Sequence, residues 1–386
     1  MTKRRWLAVA SLLTAALSSS AQADPAWPRA GLRERVGPPR APHAMPGVDA
    51  SRSRRPTTTL GATPRVERRL RVAYGIGRGL VTREDGGFFV LHPTARASRF
   101  DAHGKLLYSL KLAGEGASAP VVTAGGSNAF VAAGELWLVD ERGRVRSRTA
   151  LGDADFTTRS ILASRDGGVV VASNGSIVKL SAFGDLVWRK ASPETVLELL
   201  ETEDGLWSVT APGSVYRLDG AGRLNKLGEL GATTHSVTVS ENGRVLVART
   251  GNHRLVGFDL GEHRLHASVE DATLDLDGPV LLSKDQLTQA FTSDGLLVRY
   301  RADGSEAQRV PIDPGARKAP GLDDALLLSD GRLLVARAGA DTAVVSPSGE
   351  VSTIAASACP DPVGLYAAGP RSVLLACRSG NMLRIE

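Results

Sequence analysis

Seven histidines, two cysteines and one run of acids are the side chains through which this 386-residue chain could do chemistry. The histidines are His43, His92, His103, His235, His253, His263 and His266. None forms a His-x-x-x-His pair, and none stands at ligand spacing from a cysteine, as a zinc site would require. His263 and His266 are three apart but flank a turn, so no helix presents both rings on one face. Acids gather in Glu270-Asp-Ala-Thr-Leu-Asp-Leu-Asp-Gly278. Alternation around Leu274 and Leu276 puts Asp275 and Asp277 on one strand face beside Asp271, where oxygen ligands for calcium could meet. The run lacks the glycine and bidentate glutamate of a calcium loop. No Gly-x-Ser-x-Gly elbow occurs, and Gly75-Ile-Gly77-Arg-Gly79 is a short turn rather than a strand-to-helix phosphate cradle. No catalytic residue, metal ligand or cofactor is therefore assigned.

Charge divides the chain. The formal net charge is +6, yet residues 1–69 carry +9 and residues 70–386 carry −3. A mildly acidic body argues against nucleic acid as a partner, because that affinity needs Lys and Arg clustered on the folded surface. Lys3, Arg4 and Arg5 precede an apolar stretch from Trp6 to Leu17, followed by Ala21-Gln22-Ala23. This is the pattern of a cleavable export signal over 1–23, and the apolar stretch is too short to span a bilayer. Arg4-Arg5 leaves a twin-arginine route open. With no cysteine beside the cleavage site, no lipid anchor is expected, and location is periplasmic or secreted. Residues 24–65 are rich in Pro and Arg and show neither helical nor strand periodicity, so they read as a disordered linker. Its basic half is either an attractor of anionic envelope polymers and lipid headgroups or a solvated spacer.

The elements that must position any site come from a repeat over residues 66–386. An apolar residue, a few small or polar ones, then Gly and a polar residue recur in Phe100-Asp-Ala-His-Gly104, Val139-Asp-Glu-Arg-Gly143 and Leu180-Ser-Ala-Phe-Gly184. They return in Leu218-Asp-Gly-Ala-Gly222, Tyr300-Arg-Ala-Asp-Gly304 and Val345-Ser-Pro-Ser-Gly349, with a degenerate copy at Phe258-Asp-Leu-Gly261. A period near 40 built of several short Val/Leu/Ala runs reads as a β-propeller, one four-stranded antiparallel blade per repeat. Inner strands are expected near residues 79, 118, 159, 196, 235, 278, 321 and 363. The fold class is all-β, an eight-bladed propeller; seven blades with an irregular insertion at Pro311-Ile-Asp-Pro-Gly315 is the alternative. The eighth unit has three strands before the chain ends, and Val66 to Tyr74 stands at the right spacing to supply the fourth and close the ring.

The repeat also pairs the cysteines. Cys359 enters the last inner strand and Cys377 ends the strand that returns from it. An oxidising compartment and a count of two leave one disulfide, Cys359–Cys377. A turn at Ala368-Gly369-Pro370 would set the two nearly opposite across the hairpin.

Asn174-Gly-Ser-Ile-Val-Lys-Leu180-Ser-Ala-Phe-Gly184-Asp-Leu-Val-Trp188 and Ala133-Gly-Glu-Leu-Trp-Leu-Val-Asp140-Glu-Arg-Gly143-Arg-Val resemble the repeat of pyrroloquinoline-quinone (PQQ)-like propellers. That family holds quinone-dependent alcohol dehydrogenases and non-enzymatic envelope propellers, including scaffold lipoproteins of outer-membrane protein assembly. The enzymes carry a docking Trp four residues after the turn Gly in nearly every blade. Here only Tyr108 and Trp188 are aromatic at that slot, while Ser147, Lys226, Gln308 and Thr353 occupy others. The adjacent-cysteine disulfide that stacks the quinone is missing, and no ordered Glu, Asn and Asp set matches the calcium ligands of the enzymes. The resemblance therefore implies the fold and the non-enzymatic branch.

A second, local resemblance lies at Asn242-Gly-Arg-Val-Leu-Val-Ala-Arg-Thr-Gly-Asn252-His253-Arg254, which is similar to an NHL repeat. Asn252, His253 and Arg254 are either a binding face or an ordinary polar hairpin tip. The expected function is a monomeric, exported, non-catalytic binding scaffold for a protein or polymer of the cell envelope. The rival is an enzyme, either a quinone-dependent dehydrogenase or a lyase or hydrolase with its site at the channel mouth.

Overall fold

The computed structural model describes residues 56–77, 79–116, 118–151, 161–173, 175–312, 322–354 and 359–386. The export signal over 1–23 and the linker through residue 55 lie outside the described residues, as does most of the excursion that follows Pro311. Eight four-stranded antiparallel sheets form the ring, and the described residues hold no helix. Blades 1 to 7 are continuous meanders over 79–111, 121–150, 161–191, 196–229, 234–270, 276–311 and 322–354. Their inner strands begin within three residues of the expected positions, and the seven-bladed alternative falls away.

Blade 8 is built from two distant pieces. Its inner three strands are Pro362–Gly369, Ser372–Cys377 and Asn381–Ile385, and its outer strand is Val66–Arg71. Arg71 pairs with Asn381 and Val66 with Ile385, so the N-terminal strand closes the ring. It stops at Arg71 rather than Tyr74, because Tyr74 and Gly75 turn at positive φ. Upstream, residues 56–61 cross beneath blades 7 and 8. The Thr58 carbonyl accepts from Ser329 N at 3.0 Å, Thr59 N donates to Pro370 O at 2.9 Å, and Arg332 holds the Leu60 and Gly61 carbonyls at 2.5 and 2.7 Å. Thr58 and Leu60 are buried, so packing begins at Pro56, ten residues before Val66 and within the stretch read as the end of the linker.

The core lies in the seams between blades. Phe89, Phe130 and Trp137 fill the seam of blades 1 and 2, with ring centroids 5.5 and 6.0 Å apart. Burying each such ring stabilises the seam by about 2–3 kcal/mol. The recurrent glycine explains how neighbours approach. All but the degenerate Gly261 lie at positive φ in the third turn of the blade and rest on a side chain of the preceding outer strand. A β-carbon on Gly143 would come 2.7 Å from the Tyr108 ring, and one on Gly222 would come 2.6 Å from Trp188. Gly104 meets Leu70, Gly184 meets Ser147, Gly304 meets Val269 and Gly349 meets Gln308 in the same way. The slot accepts any side chain because the turn brings none of its own.

A charged clasp repeats within blades. The penultimate residue of the third strand reaches back to the first turn: Arg99 pairs with Asp85 and Lys179 with Asp166, both at 2.5 Å, and Arg217 donates to the Asp204 carbonyl. Burial pulls the Arg99 guanidinium below its ordinary value, and Asp85 opposes that.

Cys359 and Cys377 are bonded, with Cα atoms 5.4 Å apart, in the apolar seam of blades 7 and 8. The register differs from expectation. A bulge between Pro362 and Gly364 sets Cys377 opposite Pro362, and the hairpin turns at Pro370 and Arg371. Cys359 therefore reaches its partner from the chain entering the strand.

Candidate functional site

Each blade presents its second turn and its incoming connection on one face of the ring, and its first and third turns on the other. The first face brings together the two features that stood apart in the sequence. Asn252 and His253 form the exposed second turn of blade 5, and the connection to blade 6 carries Asp271 and Asp275 across it, with Asp277 in the strand that follows. The His253 carbonyl accepts from Asp271 N at 3.0 Å, the Asn252 carbonyl accepts from Leu276 N at 2.6 Å, and His253 Nδ1 donates to the Leu274 carbonyl. Arg254, half-buried, donates from Nε to the Ser268 hydroxyl at 3.1 Å.

The acids are turned to local bonds. Asp271 Oδ1 accepts from the Thr273 amide and hydroxyl at 2.9 and 2.5 Å, which holds its carboxyl below the usual range. Asp275 accepts from the Ser293 hydroxyl at 2.9 Å, and Asp277 from Gly278 N at 2.7 Å. Asp275 immediately precedes the inner strand Leu276–Leu282, and its carbonyl accepts from Ser293 N at 2.8 Å. Among the described residues no three His, Cys, Asp or Glu side chains converge as a metal site. Between acids and hairpin, Arg249 donates to the Leu276 carbonyl at 2.5 Å; burial lowers its affinity for a proton, and Asp277 and Asp275 raise it. His235, at the inner strand of the same blade, is pulled down by desolvation and then by the Arg249 charge.

His43 lies outside the described residues, and the remaining described histidines do not join this group. His263, at positive φ, faces Trp207 with ring centroids 6.4 Å apart, while His266 lines the groove between blades 5 and 6. His92 is buried and its Nδ1 donates to Gly75 O at 2.6 Å; His103 accepts from Arg68 at 2.6 Å.

The outer rim holds a feature that sequence reading missed. Outer strands begin with exposed apolar residues on three consecutive blades: Leu106 and Leu107, then Val145, then Phe183, Leu186 and Val187. Phe183 is 77% exposed, the most of any large apolar side chain described. Basic residues alternate with them, among them Lys111, Arg146 and Arg189. Counting the outer strands and the third turns that lead into them, blades 8, 1, 2 and 3 carry 11 basic and 5 acidic residues, against 5 and 7 on blades 4 to 7. The net charge of −3 for residues 70–386 averages over this sector and hides it. Stacking the eight repeats and reading only the first outer-strand residues would have exposed it.

No helix among the described residues is long and apolar enough to cross a membrane. No protein-family model matches the chain, and no curated protein matches it in sequence. Solved structures do match. BamB from Moraxella catarrhalis is similar over 84% of this chain and 98% of its own, at 18% identity and a TM-score of 0.64. The Dos1 propeller covers 84% of this chain and 95% of its own, at 10% identity and a TM-score of 0.66. Virginiamycin B lyase from Staphylococcus aureus covers 70% and 94%, at 13% identity and 0.52. At such identities the likeness carries the fold and no chemistry: the chain is a β-propeller repeat protein.

Proposed function

We propose that the protein is exported and acts as a non-catalytic binding scaffold in the cell envelope, engaging an acidic, amphipathic partner protein through the rim of blades 8, 1, 2 and 3. The observation that carries this is the apolar strip of Leu106, Leu107, Val145, Phe183, Leu186 and Val187 set among basic residues. Exposed apolar side chains grouped on one sector and interspersed with one sign of charge are what an interaction surface presents beyond ordinary surface. The resemblance to PQQ-like propellers of the non-enzymatic branch agrees with it. The Asn252–His253–Arg254 turn is a second contact in this reading, on the face at right angles to the rim.

The test uses the processed protein to capture partners from envelope extract over a series of salt concentrations. Phe183→Asp with Leu186→Asp should abolish capture, and rising salt should weaken it. Leu265→Asp on blade 5 should leave it intact. Capture that follows Asn252→Ala and His253→Ala instead would move the binding surface to the turn face. Dye reduction by protein incubated with the quinone and calcium would replace the scaffold reading with the dehydrogenase.

A further inference from the structure

Five blades share one register where the third strand meets the outer one. Just before a bulge, Arg99 lies opposite Tyr108, Leu138 opposite Ser147, Lys179 opposite Trp188 and Arg299 opposite Gln308; in blade 5, Gly257 lies opposite Ala267. In the first four pairs a side chain reaches the third-turn glycine of the next blade. A β-carbon there would strike Tyr108 at Gly143, Ser147 and Leu138 at Gly184, Trp188 at Gly222 and Gln308 at Gly349. Blade 5 brings no more than a methyl group to its pair. A β-carbon on Gly304 would meet Val269 at 3.1 Å, two residues farther along the strand, and no atom of Ala267 within 4 Å.

The space left over is a cavity of about 270 Å³ between blades 5 and 6, and Gly257, Ala267 and Gly304 all line it. Val247, Leu255, Leu282 and the Tyr300 ring give it buried apolar walls. Its polar lining is His266, Ser268, Gln286, Thr288 and Arg301, with no carboxylate among them. Arg301 is exposed and is steadied through Nη1, which donates to the Glu306 carbonyl at 3.0 Å. The slot opens to solvent: Gly257 is half-buried, whereas Arg99, Leu138, Lys179 and Arg299 at the same position are buried. Unfilled apolar space costs stability, and the four other blades close theirs with side chains of their own.

We propose that this slot binds a small planar aromatic acid the size of an indole, its ring lying over Gly304. Tyr108 already lies over Gly143 in this way, and Trp188 over Gly222. A ring from outside would supply the contact that the chain supplies for itself at those two seams, and the bare glycine permits the close approach. Arg301, with no acid in the lining to oppose it, favours a carboxylate on that ring over an ammonium. The slot lies outside the basic rim sector and does not depend on the scaffold reading.

The experiment titrates the processed protein with indole-3-propionate by calorimetry, beside tryptamine and hexanoate. The indole acid should bind at millimolar concentration or below. Tryptamine reverses the charge and hexanoate lacks the ring, so each should bind about threefold or more weakly. Ala267→Trp, which places blade 3's own ring in the slot, should melt no lower than the parent and weaken binding by about tenfold or more. Gly257→Leu copies blade 2 and should weaken binding likewise, since its β-carbon would come no nearer than 3.6 Å to the facing Ala267. Arg301→Gln should erase the preference for the acid over the amine while the ring still binds. A parent protein that takes up no indole acid at millimolar concentration overturns the proposal. So do equal or tighter binding of hexanoate or tryptamine, a preference for the acid that survives Arg301→Gln, and unchanged affinity in Ala267→Trp. Should Ala267→Trp fail to fold, Gly257→Leu decides by the same comparison.

Discussion

The two halves of the ring share one backbone plan and differ in what they show to solvent. Blades 8, 1, 2 and 3 present a rim that is basic and studded with exposed aliphatics and Phe183; blades 4 to 7 present one with more acids than bases. Inside, both halves follow the same rules of glycine turn, slot residue and apolar seam. The repeat therefore constrains what faces the neighbouring blade and leaves the outermost strand free to diverge. Function on such a scaffold is to be sought where copies disagree, as they do at the rim of blades 8 to 3.

The halves also differ in how they are held together, and that difference gives the largest expected effect. Blades 4 to 7 are each one continuous stretch, whereas blade 8 borrows Val66–Arg71 across the closure. Removing residues 1–55 should leave the thermal midpoint nearly unchanged. Removing residues 1–71 strips both the strap at 56–61 and the outer strand, and it exposes the edge of Asn381–Ile385. Loss of cooperative melting, or aggregation, should follow. Equal melting of the two truncated proteins would show that the closure is dispensable and the halves are equally self-sufficient.

A smaller effect separates the halves at their glycine slots. Gly143 rests on the rigid Tyr108 ring, whereas Gly349 rests on the end of Gln308, a side chain that can swing away. Both have positive φ, at 81° and 91°, so either alanine pays backbone strain of about 1–3 kcal/mol. Gly143→Ala should add overpacking of about 1–3 kcal/mol against the ring. Chemical denaturation should therefore rank Gly143→Ala below Gly349→Ala, and the reverse order would mean that slot rigidity does not matter.

Those glycines were the most legible part of the fold, because a positive-φ turn leaves a residue that little else can replace. The blade count, the inner-strand starts and the closing strand followed from their spacing. The slot was harder: Leu70, Ser147, Val269 and Gln308 do not look like docking residues, because the glycine brings complementarity and the slot need not. The cysteine pairing was legible from count and compartment, but its register was not, since the bulge at Pro362 and Gly364 leaves no mark in spacing. The strap at 56–61 was hidden by composition, since Pro56-Thr-Thr-Thr-Leu60-Gly61 carries its order in backbone bonds to blades 7 and 8.

The smallest effect concerns acid. In blades 1 and 2 an aspartate opens the third turn: Asp101 Oδ1 accepts from Lys105 N and His103 N at 2.9 and 2.8 Å, and Asp140 Oδ1 from Arg144 N and Arg142 N, both at 2.9 Å. The bond from the Lys105 amide chiefly holds Asp101 below its ordinary 3.8, and the bond from the Arg144 amide does the same for Asp140. Blades 3 and 7 place Ser181 and Ser346 at this position, so the turn itself tolerates a neutral acceptor. A carboxyl whose folded pKa is depressed adds stability that is fully present above the unfolded value and fades as pH falls through the folded one. The contribution of Asp101 and Asp140 should therefore be intact at neutral pH and disappear progressively below pH 3.8. Asp140→Ser should lower the thermal midpoint slightly at neutral pH and converge with the parent in strong acid, while Ser346→Ala on blade 7 should shift it equally at every pH. Thermal melts of the three proteins across that range make the comparison, and a Ser346→Ala shift that also vanishes in acid would show that general acid expansion, rather than these carboxylates, sets the trend.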